Sequence, residues 1–146
     1  MIPTFFGRAT VVLGEHAHLH TIVAELRELL ARLDGKGTNS ESDSQRLVHE
    51  LYDKLEKHFA AEESEGYFGT LVAESPALAS TVEHLLSEHR EFLVTVRRLL
   101  DLSASAKYRA EFAVTLSGFL ARFEVHEHAE NRLLQEFFLR DEGESG

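Results

Sequence analysis

Two histidine–glutamate pairs at a spacing of four, His58 with Glu62 and His126 with Glu130, are the residues of this chain best placed to do chemistry. Residues four apart on a helix project from the same side, so each pair aims an imidazole and a carboxylate at one target. Neutral imidazole nitrogen and carboxylate oxygen together make a donor set for a divalent first-row metal. Two such pairs on separate helices predict the two halves of one metal site.

Composition limits what else the pairs could serve. At 146 residues the chain is long enough to bury a core without covalent staples and is read as one domain, 1–146. It has no cysteine, which excludes disulfides, thiolate zinc sites, iron–sulfur clusters and a cysteine nucleophile. A net charge of -10 argues against nucleic acid and anionic membranes as partners, since both call for a basic surface. No apolar run approaches the roughly 20 residues of a membrane span, and the first residues lack a signal-peptide pattern, so the expected location is cytoplasmic. No serine or lysine near the apolar stripes forms a nucleophile constellation, and no glycine-rich phosphate loop occurs, so hydrolase and nucleotide-binding chemistry find no support.

The elements that must position the pairs are helices. With two prolines, Pro3 and Pro76, and long stretches rich in Leu, Ala, Glu and Arg, the periodicity predicts helices over about 10–33, 42–65, 76–102 and 105–140. Glycines in 35–40 suit the end of the first helix. Ser42 and Gln45 have capping-box spacing at the start of the second, and the second ends before Gly66. Ser75 and Pro76 suit the cap and first position of the third. Ser103 to Ser105 form the break before the fourth, and the polar tail from Asp141 is expected to fray.

Each helix carries a stripe with alternating steps of three and four, the seam of an antiparallel bundle. The first stripe reads Val12, His16, Leu19, Val23, Leu26, Leu30, Leu33, and the second Val48, Leu51, Leu55, His58, Glu62. The third reads Val82, Leu85, His89, Phe92, Val96, Leu99, and the fourth Phe112, Leu116, Phe119, Phe123, His126, Glu130, Leu133, Phe137. The fold class is therefore all-α, an up-down-up-down four-helix bundle. Counting residues from each histidine to the end of the bundle that holds the first and third connections puts His16, His58, His89 and His126 at one level. Leu19, Leu55, Phe92 and Phe123 form an apolar floor one turn deeper. Val12, Glu62, Leu85 and Glu130 lie one turn outward.

A single histidine on an apolar stripe is usually a satisfied core residue. Four imidazoles and two carboxylates at one level are different, because buried charges without a counterion cost several kcal/mol each. The set suits two adjacent ions bridged by glutamates, and its mixed nitrogen and oxygen donors fit iron, with an oxo or hydroxo bridge, ahead of manganese or zinc. The alternative is a histidine–carboxylate network without metal. His18, His49, His84 and His128 fall off the seams and read as solvated. His20, about 40° off the first stripe, reads as a flank residue that could serve as an additional donor.

The pattern of one histidine, an HxxxE, another histidine and a second HxxxE resembles that of the hemerythrin-like HHE cation-binding domains. It is carried by His16, by His58 with Glu62, by His89, and by His126 with Glu130, and spans nearly the whole chain. The halves echo each other, since Glu15-His16 and Glu88-His89 are followed 42 and 37 residues later by the histidine of an HxxxE. The resemblance implies a four-helix bundle holding a non-haem di-iron centre. Ferritin-like di-iron proteins use Glu-x-x-His on two helices, which only Glu15 to His18 reproduces here, off the stripe.

The departures bear on function. Oxygen-carrying hemerythrins have a fifth histidine four residues before the position matching His89, where this chain has Leu85. Their last carboxylate is an aspartate five residues after its histidine, where this chain has Glu130 after four. A missing imidazole leaves a coordination position for water, His20 or a reactant, and open positions favour reactivity over reversible carriage. The expectation is a protein that binds or reacts with oxygen, peroxide or nitric oxide, in sensing, detoxification or iron handling. The alternatives are an enzyme with catalase, peroxidase-like or nitric-oxide-consuming turnover, and a helical interaction domain without metal.

Overall fold

The computed structural model describes residues 5–34, 41–64 and 67–145, with side chains over 16–33, 42–64 and 67–139. Four long helices, α1 (Phe5–Asp34), α2 (Glu41–Glu63), α4 (Ala79–Ser103) and α5 (Arg109–Ser145), pack in a ring in which α1 meets α2, α2 meets α4, α4 meets α5 and α5 returns to α1. This is the all-α, antiparallel bundle that the stripes predict. A short helix, α3 (Phe68–Glu74), and two 3₁₀ turns, Pro76–Leu78 and Ala106–Tyr108, fill the second and third connections.

The predicted stripes are the buried ones. Every stripe residue of α2, α4 and α5 is buried, as are Leu19, Val23 and Leu26 of α1, while Leu30 and Leu33 are partly buried against the same core. Complete burial of a Leu, Val or Phe side chain contributes roughly 1.5–3 kcal/mol, so these rows outweigh the modest helix propensity of Val and Phe. The core divides into two apolar clusters. The larger contains the expected floor of Leu19, Leu55, Phe92 and Phe123. The smaller joins Tyr67, Phe68, Leu71 and Leu78 to Val82, Leu85, Leu133 and Phe137. The helices run unbroken between the clusters, and the stripe positions at the junction are the polar ones.

The boundaries differ from the sequence expectation at several points. Helix α1 begins at Phe5 rather than near Thr10, because Gly7 is the sole weak helix former in the added stretch and one glycine is tolerated at about 1 kcal/mol. Helix α2 begins at Glu41, which places Ser42 inside the first turn rather than at a cap. Ser75 makes no side-chain cap; its backbone N–H donates to Leu71 O (2.8 Å) to close α3, and Pro76 opens the 3₁₀ turn that runs into α4. The break at Ser103 to Ser105 is real, and the Ser105 hydroxyl accepts from the backbone N–H of Lys107 at 3.3 Å. Helix α5 starts at Arg109 and continues to Ser145, beyond the expected end near Arg140, since its acidic tail contains no proline. The linker 35–40, Gly66 and the side chain of Val12 lie outside the described residues.

Candidate metal centre

Between the two apolar clusters lies a single polar layer. His16 comes from α1, His58 and Glu62 from α2, His89 from α4, and His126 and Glu130 from α5, so all six residues singled out in the sequence meet. Five of them are no more than 3% exposed, and the His16 side chain is 13% exposed. Each helix places its ligand-type residue by continuing the apolar stripe one further step of three or four.

The distances divide the layer into two nodes. His16 Nε2 stands 3.4 Å from Glu130 Oε2, and His58 is against it, with ring centroids 4.6 Å apart. On the other side, Glu130 Oε1 faces His126 Nε2 at 3.7 Å and His89 Nε2 at 3.9 Å. Donor atoms of His16, His58 and Glu130 gather within 4.8 Å of one another, and so do those of His89, His126 and Glu130. Glu130 therefore presents one oxygen to each node. Oε1 of Glu62 lies 3.3 Å from Nε2 of both His58 and His89, spanning the same gap from the opposite wall.

Sequence reasoning missed the residues that orient the imidazoles. The His89 Nδ1–H donates to Glu63 (3.2 Å), and the His126 Nδ1–H donates to Glu88 (3.0 Å). A carboxylate on Nδ1 fixes the tautomer that leaves the Nε2 lone pair facing the node, a support typical of metal-bound histidine. Phe59 stacks on His89 at 3.8 Å with the rings 6° from parallel, and fixes its plane. Glu63 and Glu88 each sit one position beside a stripe residue, which on a helical wheel looks solvated but at a helix–helix seam reaches the neighbour.

Tyr67 is the other omission. It is 1% exposed and sits in the upper apolar cluster with Leu85. Burial, reinforced by the nearby Glu62 and Glu130 carboxylates, raises its phenol well above the ordinary value, so the hydroxyl stays protonated as a donor beside the layer. Its signal in the sequence is the spacing of Tyr67, Phe68 and Leu71, an apolar step of three and four that marks α3.

The electrostatics suit a cation. Burial, with the charge of neighbouring His16 next in weight, pushes His58 down to about 3, so it is a neutral donor. Burial also lowers His126. In His16 burial opposes charge, but the close contact with Glu130 and attraction to its carboxylate outweigh it and raise the pKa. Burial works against ionised Glu130 too, yet its close contacts with Glu62, His16 and His89, and the charge of His126, hold it well below the usual carboxylate range. His89 Nε2, His126 Nε2 and Glu130 Oε1 are buried and make no hydrogen bond, although they face one another. Leaving such groups bare costs about 1–3 kcal/mol each, and a metal ion satisfies all three at once. The donor set fits first-row metal ions, which these residues could hold as two nodes sharing Glu130 and Glu62.

His18, His49, His84 and His128 are exposed, as their off-seam positions predict. His20 is not a cage member; its Nε2 contacts Glu127 Oε2 at 2.9 Å on the outer side of His16. Leu85 is fully buried directly above the layer, so no imidazole occupies that position. Among the described residues, no helix is long and apolar enough to cross a membrane.

No curated protein and no solved structure matches the chain. One protein family does, with residues 9–138 aligned, a span that takes in all six residues of the polar layer. The chain belongs to the hemerythrin HHE cation binding domain family.

Proposed function

We propose that the chain is a non-haem di-iron protein that binds or reacts with oxygen, peroxide or nitric oxide. His16 and His58 would hold one ion and His89 and His126 the other, with Glu62 and Glu130 shared between the two pairs. The observation that carries this reading is the sharing of Glu130 between two donor triads, one oxygen to each. Iron is the metal that the resemblance to hemerythrin-like domains implies, and a sulfur-free set of imidazoles and carboxylates accommodates it, as it does zinc or manganese. Two adjacent iron ions, when bound, supply the Lewis acidity and electrons that a small oxidant needs in order to bind and be reduced.

The chain's own residues set the conditions for that chemistry. Glu63 and Glu88 keep the Nε2 lone pairs of His89 and His126 turned inward. The upper cluster of Leu85, Phe68, Leu71 and Leu133 excludes water from one side of the layer, and the Tyr67 hydroxyl is its polar donor there. Leu85 at the position of the carriers' fifth histidine supports reaction or sensing over reversible carriage, because it donates nothing to a metal.

The direct test is iron content and the visible spectrum of the purified chain after anaerobic reconstitution and exposure to air, azide and peroxide. About two irons per chain and ligand-dependent absorption are expected; fewer than about one iron per chain would refute the reading. Steady consumption of peroxide or nitric oxide by the iron-loaded chain identifies an enzyme. Binding without turnover identifies a sensor or iron-handling protein.

A further inference from the structure

A second group of metal-type donors sits outside the cage and shares one residue with it. His16, His20 and Glu127 bring one donor atom each within 4.8 Å of one another, and His16 is also a member of the His16–His58–Glu130 triad. Exposure falls in order along the group, with side chains of His20 at 65%, His16 at 13% and His58 at 1%. The three imidazoles thus step from solvent to the buried layer. His16 and His20 occupy successive turns of α1 with ring centroids 6.0 Å apart, and the His16 and His58 rings are 4.6 Å apart.

His20 and Glu127 line a groove of about 330 Å³ between α1 and α5, together with Arg27, Phe123, Glu124 and His128, and His16 lies behind them. Arg27 is engaged by Glu124 at 3.4 Å, which leaves Glu127 as the groove's uncompensated acidic charge when its histidines are neutral. The other described approaches to the layer are closed. Glu63 and Glu88 occupy the outer nitrogens of His89 and His126, Phe59 covers the His89 ring, and the Tyr67–Leu85 cluster covers the layer from above.

We propose that His16, His20 and Glu127 form a loading site that captures a hydrated divalent first-row cation from solvent and passes it into the buried cage. The inference rests on the cage reading above. His20 Nε2 and Glu127 Oε2 lie 2.9 Å apart, close to the roughly 3 Å between neighbouring donors on an ion with bonds of about 2.1 Å. A cation can therefore be taken between these two donor atoms with little rearrangement. His16 then stays bound while His20 and Glu127 are exchanged for His58 and Glu130, so the ion sheds its waters in steps. A negatively charged cleft also raises the local cation concentration and the on-rate.

The test is the rate of cobalt(II) uptake by the full-length, metal-free chain. The chain is mixed with cobalt chloride and quenched with chelator at increasing times, and metal per chain is measured after desalting. His20→Ala and Glu127→Gln are expected to slow uptake about tenfold, with the final cobalt per chain equal to that of the unmodified protein. Glu83→Gln, the same charge change on the exposed start of α4, is expected to leave the rate unchanged. Equal rates in all variants would overturn the loading site, and so would equal slowing by Glu83→Gln, which would mark a diffuse field. Failure of the unmodified chain to retain any cobalt overturns the cage, and with it the loading site.

Discussion

Glu130 is the residue at which the two-node geometry can be broken most selectively. Its Oε2 faces His16 at 3.4 Å and its Oε1 faces His126 at 3.7 Å, so Glu130→Gln removes one of the two carboxylates that span both nodes while keeping the side chain's shape. At metal concentrations a hundredfold above the dissociation constant, each bound ion stabilises the fold by about 2.7 kcal/mol, and two ions by about 5 kcal/mol. For a chain of this size 1 kcal/mol corresponds to roughly 2–4 °C, so saturating metal is expected to raise the melting temperature by about 10–20 °C. In Glu130→Gln, with Glu62 left as the one spanning carboxylate, most of that rise should be lost, and fewer than two ions retained. Without metal the substitution removes the charge that faces His16, His89 and His126 and alters stability by itself, so the decisive quantity is the metal-dependent difference. His58→Ala touches one node directly and is expected to retain about one ion and part of the rise. Calorimetry with and without metal, paired with metal analysis, reads both effects. A Glu130→Gln chain that keeps two ions and the full rise would refute the shared-bridge arrangement.

Phe59→Ala removes the ring stacked on His89 and opens a cavity in the core; it should cost about 3–5 kcal/mol in urea unfolding and weaken metal retention, and unchanged affinity would show that stacking does not orient the imidazole. Leu85→His places an imidazole at the carriers' fifth position from a fully buried site above the layer, and is expected to slow autoxidation of the reduced, iron-loaded chain; an unchanged optical spectrum would mean that the new side chain does not reach the metal. The metal-free chain should lose stability as pH falls. His58 titrates at about 3 in the fold but near 6.5 when unfolded, so below 6.5 the unfolded state takes up a proton that folded His58 does not. Between pH 7 and 5 this amounts to about 2 kcal/mol. Lowered His126 adds to the loss and raised His16 offsets part of it. A urea midpoint that stays flat or rises between those two pH values would contradict the sign.

Much of this arrangement was legible in the sequence because helix periodicity converts spacing directly into direction. The step from Leu55 to His58 to Glu62 continues the step from Leu51 to Leu55, so the same rule that buries the leucine buries the ligand-type residues. Counting to the connections then placed four histidines at one level without a structure. Two kinds of feature escaped that rule. Residues one position off a stripe, such as Glu63 and Glu88, have their role decided by the neighbouring helix rather than their own. The connection between the second and third helices was the other gap. There the expected cap at Ser75 gave way to α3, because Tyr67, Phe68, Leu71 and Leu78 find a buried place over the layer that a plain loop could not give them.

The division of the core explains why a bundle can carry so polar a layer. Apolar packing below the layer joins all four long helices, with Leu26, Leu51, Val96 and Leu116 among its buried residues, and a separate cluster above it joins α3, α4 and α5 through Leu71, Leu85 and Leu133. The layer between contributes charges that burial alone would make unfavourable, and it is the stability of the flanking clusters that keeps the donors assembled. A donor set held in this way is preorganised, so metal affinity is not spent on ordering ligands. It also restricts where an ion can arrive. Packing that seals the His89 and His126 side with carboxylates and aromatic rings leaves His16 as the most exposed member of the six, and the histidine and glutamate beside it are placed where an incoming cation would first lose water.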